Sequence, residues 1–258
     1  MMTRVKTPAE IRAMRESGRM LASVLAELKR TVTAGMTTKD IARQAAAELK
    51  ALGGNPAFLG YQGFPDVICI SVNNEVVHGI PSDKRVVQGG DIVSLDFGVE
   101  YEGMITDSAI TVIVGKARSP RHEQLVRATE AAMHAGIAAL HDRVRTGDIG
   151  AAVQAVLENK KLGGPFGIVR DLVGHGVGHE LHEDPNIPNY GRAGSGPWLD
   201  AGMTIAIEPM ATLGTERVYV ADDGWTILTA DGSWSAHFEH SVLITPDGAE
   251  IITALSPA

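Results

Sequence analysis

Cysteine, basic residues and long apolar runs are all scarce in this sequence. The single cysteine, Cys69, excludes a disulfide within the chain and fits a reducing compartment. No run approaches the roughly 18 apolar residues of a membrane span, and the N-terminal residues lack the apolar stretch of a signal peptide. The 23 basic residues are outnumbered by 31 acidic ones, which does not favour a nucleic-acid partner. We therefore expect a cytoplasmic protein that binds neither membranes nor nucleic acid.

The elements that are present follow a repeated order. With 258 residues and no linker-like stretch, the chain predicts one domain over residues 1–258. Capping residues and apolar periodicity predict helices over residues 8–32, 37–52, 119–144 and 148–161. Strands are predicted over residues 67–72 and 91–114, and in a tail over residues 172–252. The order helix, helix, hairpin thus occurs twice along the chain. This order predicts an α+β fold with two pseudo-twofold-related αβ halves, whose antiparallel sheets face one site.

Asp96 and Asp107 form the first of two carboxylate pairs. Both lie in the β-branched run over residues 91–114, at equal distances from a turn centred between Tyr101 and Glu102. A regular hairpin with this centre places the two aspartates directly opposite each other.

Glu208 and Glu239 repeat the arrangement on a larger scale, centred on the turn signal Asp223-Gly224. A single carboxylate in a strand is usually solvated. Asp96 and Glu208, however, each stand in or after a nearly continuous apolar run, and a buried carboxylate must be paired or coordinate a metal. Two facing pairs of like charge therefore favour bound cations.

Three of the nine histidines lie within residues 173–185, a glycine-rich segment in which backbones can approach closely. His175 is bracketed by glycines at the end of an apolar strand, Leu172-Val173, and completes the constellation of carboxylates. His78 stands at a strand end beside a glycine and a proline. The remaining histidines outside this pattern are interpreted as surface or packing residues: His122, His134, His141, His179, His237 and His240.

The donor types indicate which metals suit the site. Carboxylates outnumber imidazoles and there is no thiolate, which disfavours a structural zinc site and suits Mn²⁺, Fe²⁺ or Co²⁺. Two such ions about 3.5–4 Å apart share and activate a hydroxide in aminopeptidases, phosphatases and nucleases. The net charge of −8 disfavours a phosphate-bearing substrate without excluding it.

Taken together, several segments resemble the bacterial type I methionine aminopeptidases, metallopeptidases of the pita-bread fold. The resemblance covers nearly the whole chain. The matching segments are Gly60–Pro65, Ile70–Pro81, Leu95–Gly98 with Thr106-Asp107, Gly174–Gly178 with Leu181–Pro185, Ile207–Pro209 and Phe238–Ser241. The resemblance implies a catalytic domain that removes the initiator methionine from nascent proteins and peptides with a small second residue. The nucleophile would be a hydroxide activated by two divalent ions (Co²⁺, Mn²⁺, Fe²⁺ or Zn²⁺).

The same resemblance implies the metal ligands. Asp107 and Glu239 would bridge the two ions. Asp96 would complete the shell of one ion, and His175 with Glu208 that of the other. Glu208 would also act as the general base.

Substrate contacts follow from the resemblance as well. His182 would stabilise the oxyanion of the scissile carbonyl, and His78 would contact the scissile amide. Phe64 stands where a tyrosine is commonest in the family and Leu181 where an aromatic is frequent, and both changes keep the wall apolar. The methionine side chain would lie among Tyr61, Phe64, Cys69, Leu181 and Trp225, whose aromatic and sulfur groups pack well on a thioether. Taken singly, each of these five also suits ordinary core packing.

Two alternatives stay open. A prolidase or aminopeptidase P would use a similar set of five ligands, although these relatives normally carry a further N-terminal domain, for which we expect no room before Pro8. Other proteins of this fold have lost the metals and bind proteins or RNA, and five intact ligand positions argue against that. The resemblance also implies action on nascent chains near the ribosome exit, with transient ribosome contact, and we expect a monomer.

Overall fold

The computed structural model of the protein describes residues 2–255. Within this range the α-helices are Pro8–Thr31 (α1), Thr38–Leu52 (α2), Pro120–Ala138 (α3) and Thr146–Leu157 (α4), and short 3₁₀ turns lie at Tyr61–Gly63 and Lys160–Leu162. The strands are β1 (Asn55–Pro56), β2 (Ile68–Val72), β3 (Glu75–Val77), β4 (Ile92–Tyr101), β5 (Met104–Ile113), β6 (Val144–Arg145), β7 (Gly167–Ile168), β8 (Gly174–Gly176), β9 (Glu183–Ile187), β10 (Trp198–Leu199), β11 (Thr204–Ile207), β12 (Met210–Thr212), β13 (Val218–Val220), β14 (Ile227–Thr229), β15 (Ser235–His237), β16 (Glu239–Thr245) and β17 (Gly248–Ile251). None of the described helices is long and apolar enough to cross a membrane.

Local capping determines where the first two helices begin. The Thr7 hydroxyl accepts a hydrogen bond from the backbone of Glu10, whose carboxylate accepts one from the backbone of Thr7. Thr37 starts α2 with the same reciprocal bonds, and Gly53 ends α2 in the left-handed region at φ 84°. The predicted bounds of both helices are therefore confirmed to within a residue or two.

The third helix is shorter than its sequence predicted. It ends at Ala138, whereas periodicity predicted a helix to about residue 144. Arg143 has a positive φ of 62°, and β6 directly after it pairs with β10. Residues 139–144 contain no glycine or proline that would mark the end of the helix. Strand β10, which pairs with β6, lies more than 50 residues further along the chain, so the local sequence does not predict where α3 ends.

In the described part of the chain, nine strands form one continuous sheet that contains the first hairpin, β4–β5, and the outer strands of the second, β11 and β16. Its main path runs β1-β4-β5-β16-β11-β8-β9, so the second strands of the two hairpins, β5 and β16, are neighbours at its centre. Helices α1 and α2 pack on the β4 side, and α3 and α4 on the β11 side. The α+β architecture of two similar halves is confirmed.

Strand alternation separates the core from the site. In β4 the odd-numbered residues from Val93 to Val99 pack against α1 and α2. Asp96 and Gly98 consequently point to the opposite face. That face, between the two hairpins, is where the functional groups collect.

Candidate metal centre and substrate pocket

The first hairpin has a register different from the predicted one. Its turn is centred between Glu102 and Gly103, which both have positive φ, one residue later than the sequence suggested. Asp107 therefore pairs with Gly98, and the prediction that Asp107 directly faces Asp96 is wrong. The two aspartates are diagonal neighbours on one face. Their carboxyl groups still interact, since burial and then the Asp96 carboxylate raise the pKa of Asp107.

The second hairpin is centred as predicted, between Asp223 and Gly224. One register continues from β13–β14 beside the turn, through β12–β15, to β11–β16. The same register places Glu208, the residue after β11, opposite Glu239, the first residue of β16. The polypeptide between them leaves the large sheet, yet the two glutamates still meet.

His175 reaches the site on strand β8. It lies in the middle of that strand, and not at the end of a strand formed by Leu172 and Val173, which belong to no strand. The flanking glycines allow this segment to be a strand beside β11. A Cβ on Gly174 would come within 2.3 Å of the carbonyl oxygen of Ala206. Glycine thus lets β8 pair closely with β11.

The imidazole of His175 faces the carboxylate of Glu208. Its Nδ1 lies 2.9 Å from the carbonyl oxygen of Gly176, to which it donates when Nε2 carries the lone pair. Nε2 is 3.3 Å from Oε1 of Glu208. Burial lowers the pKa of His175 to about 3, so the ring is neutral at physiological pH.

Buried oxygen atoms without partners provide the test of whether a metal fits here. Among residues 2–255, Oδ1 of Asp96, Oδ1 of Asp107 and Oε1 of Glu239 have no hydrogen-bond partner. Burial raises the pKa of Asp96 to about 7, and burial first and neighbouring carboxylates second raise those of Asp107, Glu208 and Glu239 well above their usual range. Such a cluster is costly unless cations neutralise it. The residues present therefore fit divalent metal ions.

The donor atoms fall into two groups that share Glu239. One group contains Asp107, His175 and Glu239, and the other Glu208, His237 and Glu239, with the donor atoms of each group within 4.8 Å of one another. Glu239 belongs to both groups, as is expected of a carboxylate that bridges two ions.

His237 was not among the ligands predicted from the sequence. It was interpreted as a surface or packing residue, yet it is only 1% exposed and its Nε2 lies 3.7 Å from Oε2 of Glu208. The missed signal is its position two residues before Glu239, since residues two apart in extended chain share a face. The other histidines that were interpreted as surface or packing residues lie outside the site. His134 and His141 are exposed, His122 packs on Trp234, His179 pairs with Glu10, and His240 forms a hydrogen bond with Thr253.

An apolar pocket opens from the carboxylate cluster. One cavity of about 140 Å³ is lined both by the four carboxylates with His175 and by an apolar wall. All the predicted pocket residues belong to that wall, namely Tyr61, Phe64, Cys69, Leu181 and Trp225. Phe58, which was not predicted from the sequence, also belongs to this wall. Its ring occupies the space left by Gly98, because a Cβ on Gly98 would lie 2.5 Å from the ring.

His182 and His78 lie between the carboxylates and the pocket. The ring centroid of His182 is 4.3 Å from that of His175, and its Nδ1 is 2.8 Å from the hydroxyl of Tyr61. His78 follows strand β3 at a positive φ of 59°, with its ring 6.4 Å from that of Trp225. Burial lowers the pKa of both histidines, that of His78 to about 4, so both are neutral hydrogen-bonding groups.

Comparison with known proteins agrees with this geometry. Residues 12–246 match metallopeptidase family M24. The chain belongs to that family. A methionine aminopeptidase of Clostridium perfringens is 45% identical over 97% of this chain and 98% of its own length, and one of Mycoplasma capricolum is 43% identical over 98% of both. The crystal structure of methionine aminopeptidase from Thermotoga maritima has a TM-score of 0.94 at 46% identity, covering 98% of this chain and 100% of that one.

Family membership confirms the resemblance inferred from the sequence segments, together with the expected pita-bread fold. Divalent metal ions belong to the chemistry of a metallopeptidase family, and the buried carboxylates and His175 are suitable donors for them.

In this M24 chain, the N-terminal segment supports the loop that carries Leu181 and His182. Nζ of Lys6, fully buried, lies 3.1 Å from the carboxylate of Glu183. The other oxygen of Glu183 accepts hydrogen bonds from the backbone amides of His179 and Glu180. Because breaking a buried ion pair typically costs about 3–5 kcal/mol, this contact holds the loop firmly beside the metal centre.

Proposed function

We propose that the protein is a methionine aminopeptidase, which removes N-terminal methionine from peptides and nascent proteins whose second residue is small. One observation carries the proposal: an apolar pocket and a cluster of buried carboxylates share a single cavity. The pocket suits an unbranched thioether side chain. A peptide whose first side chain fills the pocket has its first peptide bond next to the carboxylates.

For the metal centre we assign two divalent ions. Asp96, Asp107, His175, Glu208 and Glu239 would hold them, with Asp107 and Glu239 shared by both ions, Asp96 serving one ion, and His175 with Glu208 serving the other. Co²⁺, Mn²⁺, Fe²⁺ and Zn²⁺ are the candidates, since a set rich in carboxylates with imidazole accepts each of them. When bound, such ions lower the pKa of a coordinated water and supply a nucleophile at neutral pH.

The side chains of the protein then handle protons and charge. Glu208 accepts the proton of the attacking water and is the general base. His182 donates a hydrogen bond to the carbonyl oxygen as negative charge develops on it. His78 contacts the nitrogen of the scissile amide. Both imidazoles lie in the cavity that contains the carboxylates, and each is neutral at physiological pH.

Selectivity for methionine is assigned to the apolar wall. Phe64 and Trp225 meet edge to face, with ring centroids 5.2 Å apart, and form a rigid boundary. Cys69 is buried, and burial raises the pKa of its thiol well above the usual value, so it contributes packing and not a nucleophile. Phe58 and Leu181 complete the wall.

An Xaa-Pro peptidase is the alternative from the same fold, and a metal-free binding module the alternative from another class. The two are separated from our proposal by one assay. Purified protein, reconstituted with Mn²⁺ or Co²⁺ and analysed for metal content, is incubated with Met-Ala, Met-Gly, Met-Leu and Xaa-Pro peptides. We expect release of methionine from Met-Ala and Met-Gly, much less from Met-Leu, and loss of activity after chelation. Better cleavage of Xaa-Pro peptides would assign the protein to the prolidase group, and absence of metal binding at micromolar Mn²⁺ would favour a binding module.

The remaining assignments extend this proposal. Both halves supply metal ligands, so we propose that residues 1–258 act as one catalytic domain. We further propose a cytoplasmic monomer that acts on nascent chains, with transient contact to the ribosome. Sedimentation measures the oligomeric state directly, and co-pelleting with ribosomes measures the contact with the ribosome.

A further inference from the structure

The imidazole of His237 has no hydrogen-bond partner despite its burial. The residue is 1% exposed, and neither Nδ1 nor Nε2 forms a hydrogen bond within the described residues 2–255. An imidazole that serves only as packing normally satisfies its polar atoms, because a buried unpaired group costs about 1–3 kcal/mol. His240, three residues on, does so: its Nδ1 lies 2.9 Å from the hydroxyl of Thr253.

Two carboxylates face this unpaired ring. Nε2 of His237 lies 3.7 Å from Oε2 of Glu208 and 3.9 Å from Oε2 of Glu239. These separations are too long for hydrogen bonds. Donor atoms that bind one ion at about 2.0–2.2 Å lie roughly 3–4 Å from one another, and the observed separations match that spacing.

Glu208 therefore lies between two imidazoles. Its Oε1 is 3.3 Å from Nε2 of His175, and its Oε2 is 3.7 Å from Nε2 of His237. His78 is the other ionisable group close enough to influence His237, and it lies on the substrate side. The donor atoms of the two carboxylates lie close enough to the ring to share one ion with it.

We propose that His237 is a sixth protein ligand of the metal centre, binding through Nε2 the ion that Glu208 and Glu239 also bind. The centre then has two imidazole ligands. This inference rests on the proposed metal centre and is independent of which peptide the protein cleaves.

An added imidazole changes which metals the centre prefers. Imidazole suits borderline ions such as Zn²⁺ and Co²⁺, whereas carboxylate and water suit Mn²⁺. Loss of the His237 ring should therefore weaken binding of Co²⁺ and Zn²⁺ more than that of Mn²⁺. Mutation of a residue that only orients a metal ligand typically lowers metal affinity by about 10–100-fold. Loss of a ligand itself should therefore lower the affinity for Co²⁺ at least about tenfold.

The test measures metal binding without peptide. Wild type, His237→Gln and the control His240→Gln are titrated calorimetrically with Co²⁺ and with Mn²⁺, after circular dichroism has established that each metal-free protein is folded. X-ray absorption of the Co²⁺-loaded wild type and His237→Gln counts the bound imidazoles.

The expected results are two imidazoles per loaded centre in the wild type and one in His237→Gln. Co²⁺ affinity should fall at least about tenfold in His237→Gln, with a smaller change for Mn²⁺. His240→Gln should stay within about twofold of wild type. A wild-type centre with one imidazole would overturn the proposal even if His237→Gln failed to fold, as would equal loss of Co²⁺ and Mn²⁺ affinity. Failure to release methionine would leave these measurements unaffected and would count only against the proposed function.

Discussion

The hydroxyl of Tyr61 and Nδ1 of His182 lie 2.8 Å apart, and the direction of this hydrogen bond determines what His182 can do. The amide of Gln62 donates to the same hydroxyl at 3.2 Å, so the tyrosine proton is free to be donated to Nδ1. When Tyr61 donates to Nδ1, His182 carries its proton on Nε2. This is the tautomer that an oxyanion donor requires.

Tyr61→Phe should consequently lower turnover while preserving the apolar wall. Loss of one orienting hydrogen bond costs about 0.5–1.5 kcal/mol, which corresponds to roughly a two- to tenfold fall in kcat. KM for a Met-Ala peptide should change little. Steady-state kinetics on the metal-loaded variant measures both quantities. An unchanged kcat would show that Tyr61 does not orient His182.

Glu208→Gln should abolish most activity without unfolding the protein. The amide nearly preserves the shape of the side chain but removes the proposed base and the charge of a proposed ligand, so turnover should fall by about 10²–10⁴. Kinetics on samples matched for metal content, with circular dichroism as the folding control, test this expectation. More than a tenth of the wild-type rate would mean that another group is the base.

His182→Ala and His175→Ala should fail in different ways. In its proposed role His182 acts on charge that develops in the transition state, so its loss should cost about 10²–10³ in turnover. In its proposed role His175 binds metal before any substrate arrives, so its loss should weaken metal binding directly. Calorimetric titration with Mn²⁺ in the absence of peptide separates the two variants. If His182→Ala loses metal and His175→Ala retains it, the two roles are reversed.

The metal-free protein should lose stability as the pH rises above about 6.5. Burial raises the pKa of Asp96 from 3.8 to about 7, and it raises those of the other three carboxyls well above their usual range, so the folded state retains protons that the unfolded chain has released. The free energy of unfolding then decreases with rising pH. Buried His175 and His237, with their pKa lowered to about 3, have the opposite effect, but only below their usual 6.5.

Thermal unfolding of metal-free protein from pH 6.5 to 8 measures this decline. Excess Mn²⁺ should reduce it, because metal-bound carboxylates are ionised throughout that range. Asp96→Asn provides a matched variant with one fewer titrating carboxyl and should show a shallower decline. A metal-free protein that is equally stable at both pH values would contradict the expected coupling.

The sequence alone determined the parts of this protein that depend on local chemistry. Thr7 with Glu10 starts the first helix, and Gly53 ends the second, because capping bonds join residues only a few positions apart. Asp223-Gly224 identified the centre of the second hairpin, because such a pair is a strong sequence signal for a hairpin turn. Residue types and spacing likewise identified the candidate ligands.

Tertiary structure decided what depends on distant partners. A turn displaced by one residue to Glu102 and Gly103 made Asp96 and Asp107 diagonal neighbours, which shows how sensitive strand register is to turn geometry. Helix α3 stops because the residues after it pair with strand β10, far along the chain. His237 became a candidate ligand only when folding buried it beside Glu208, since burial is a property of the whole fold and not of the neighbouring sequence.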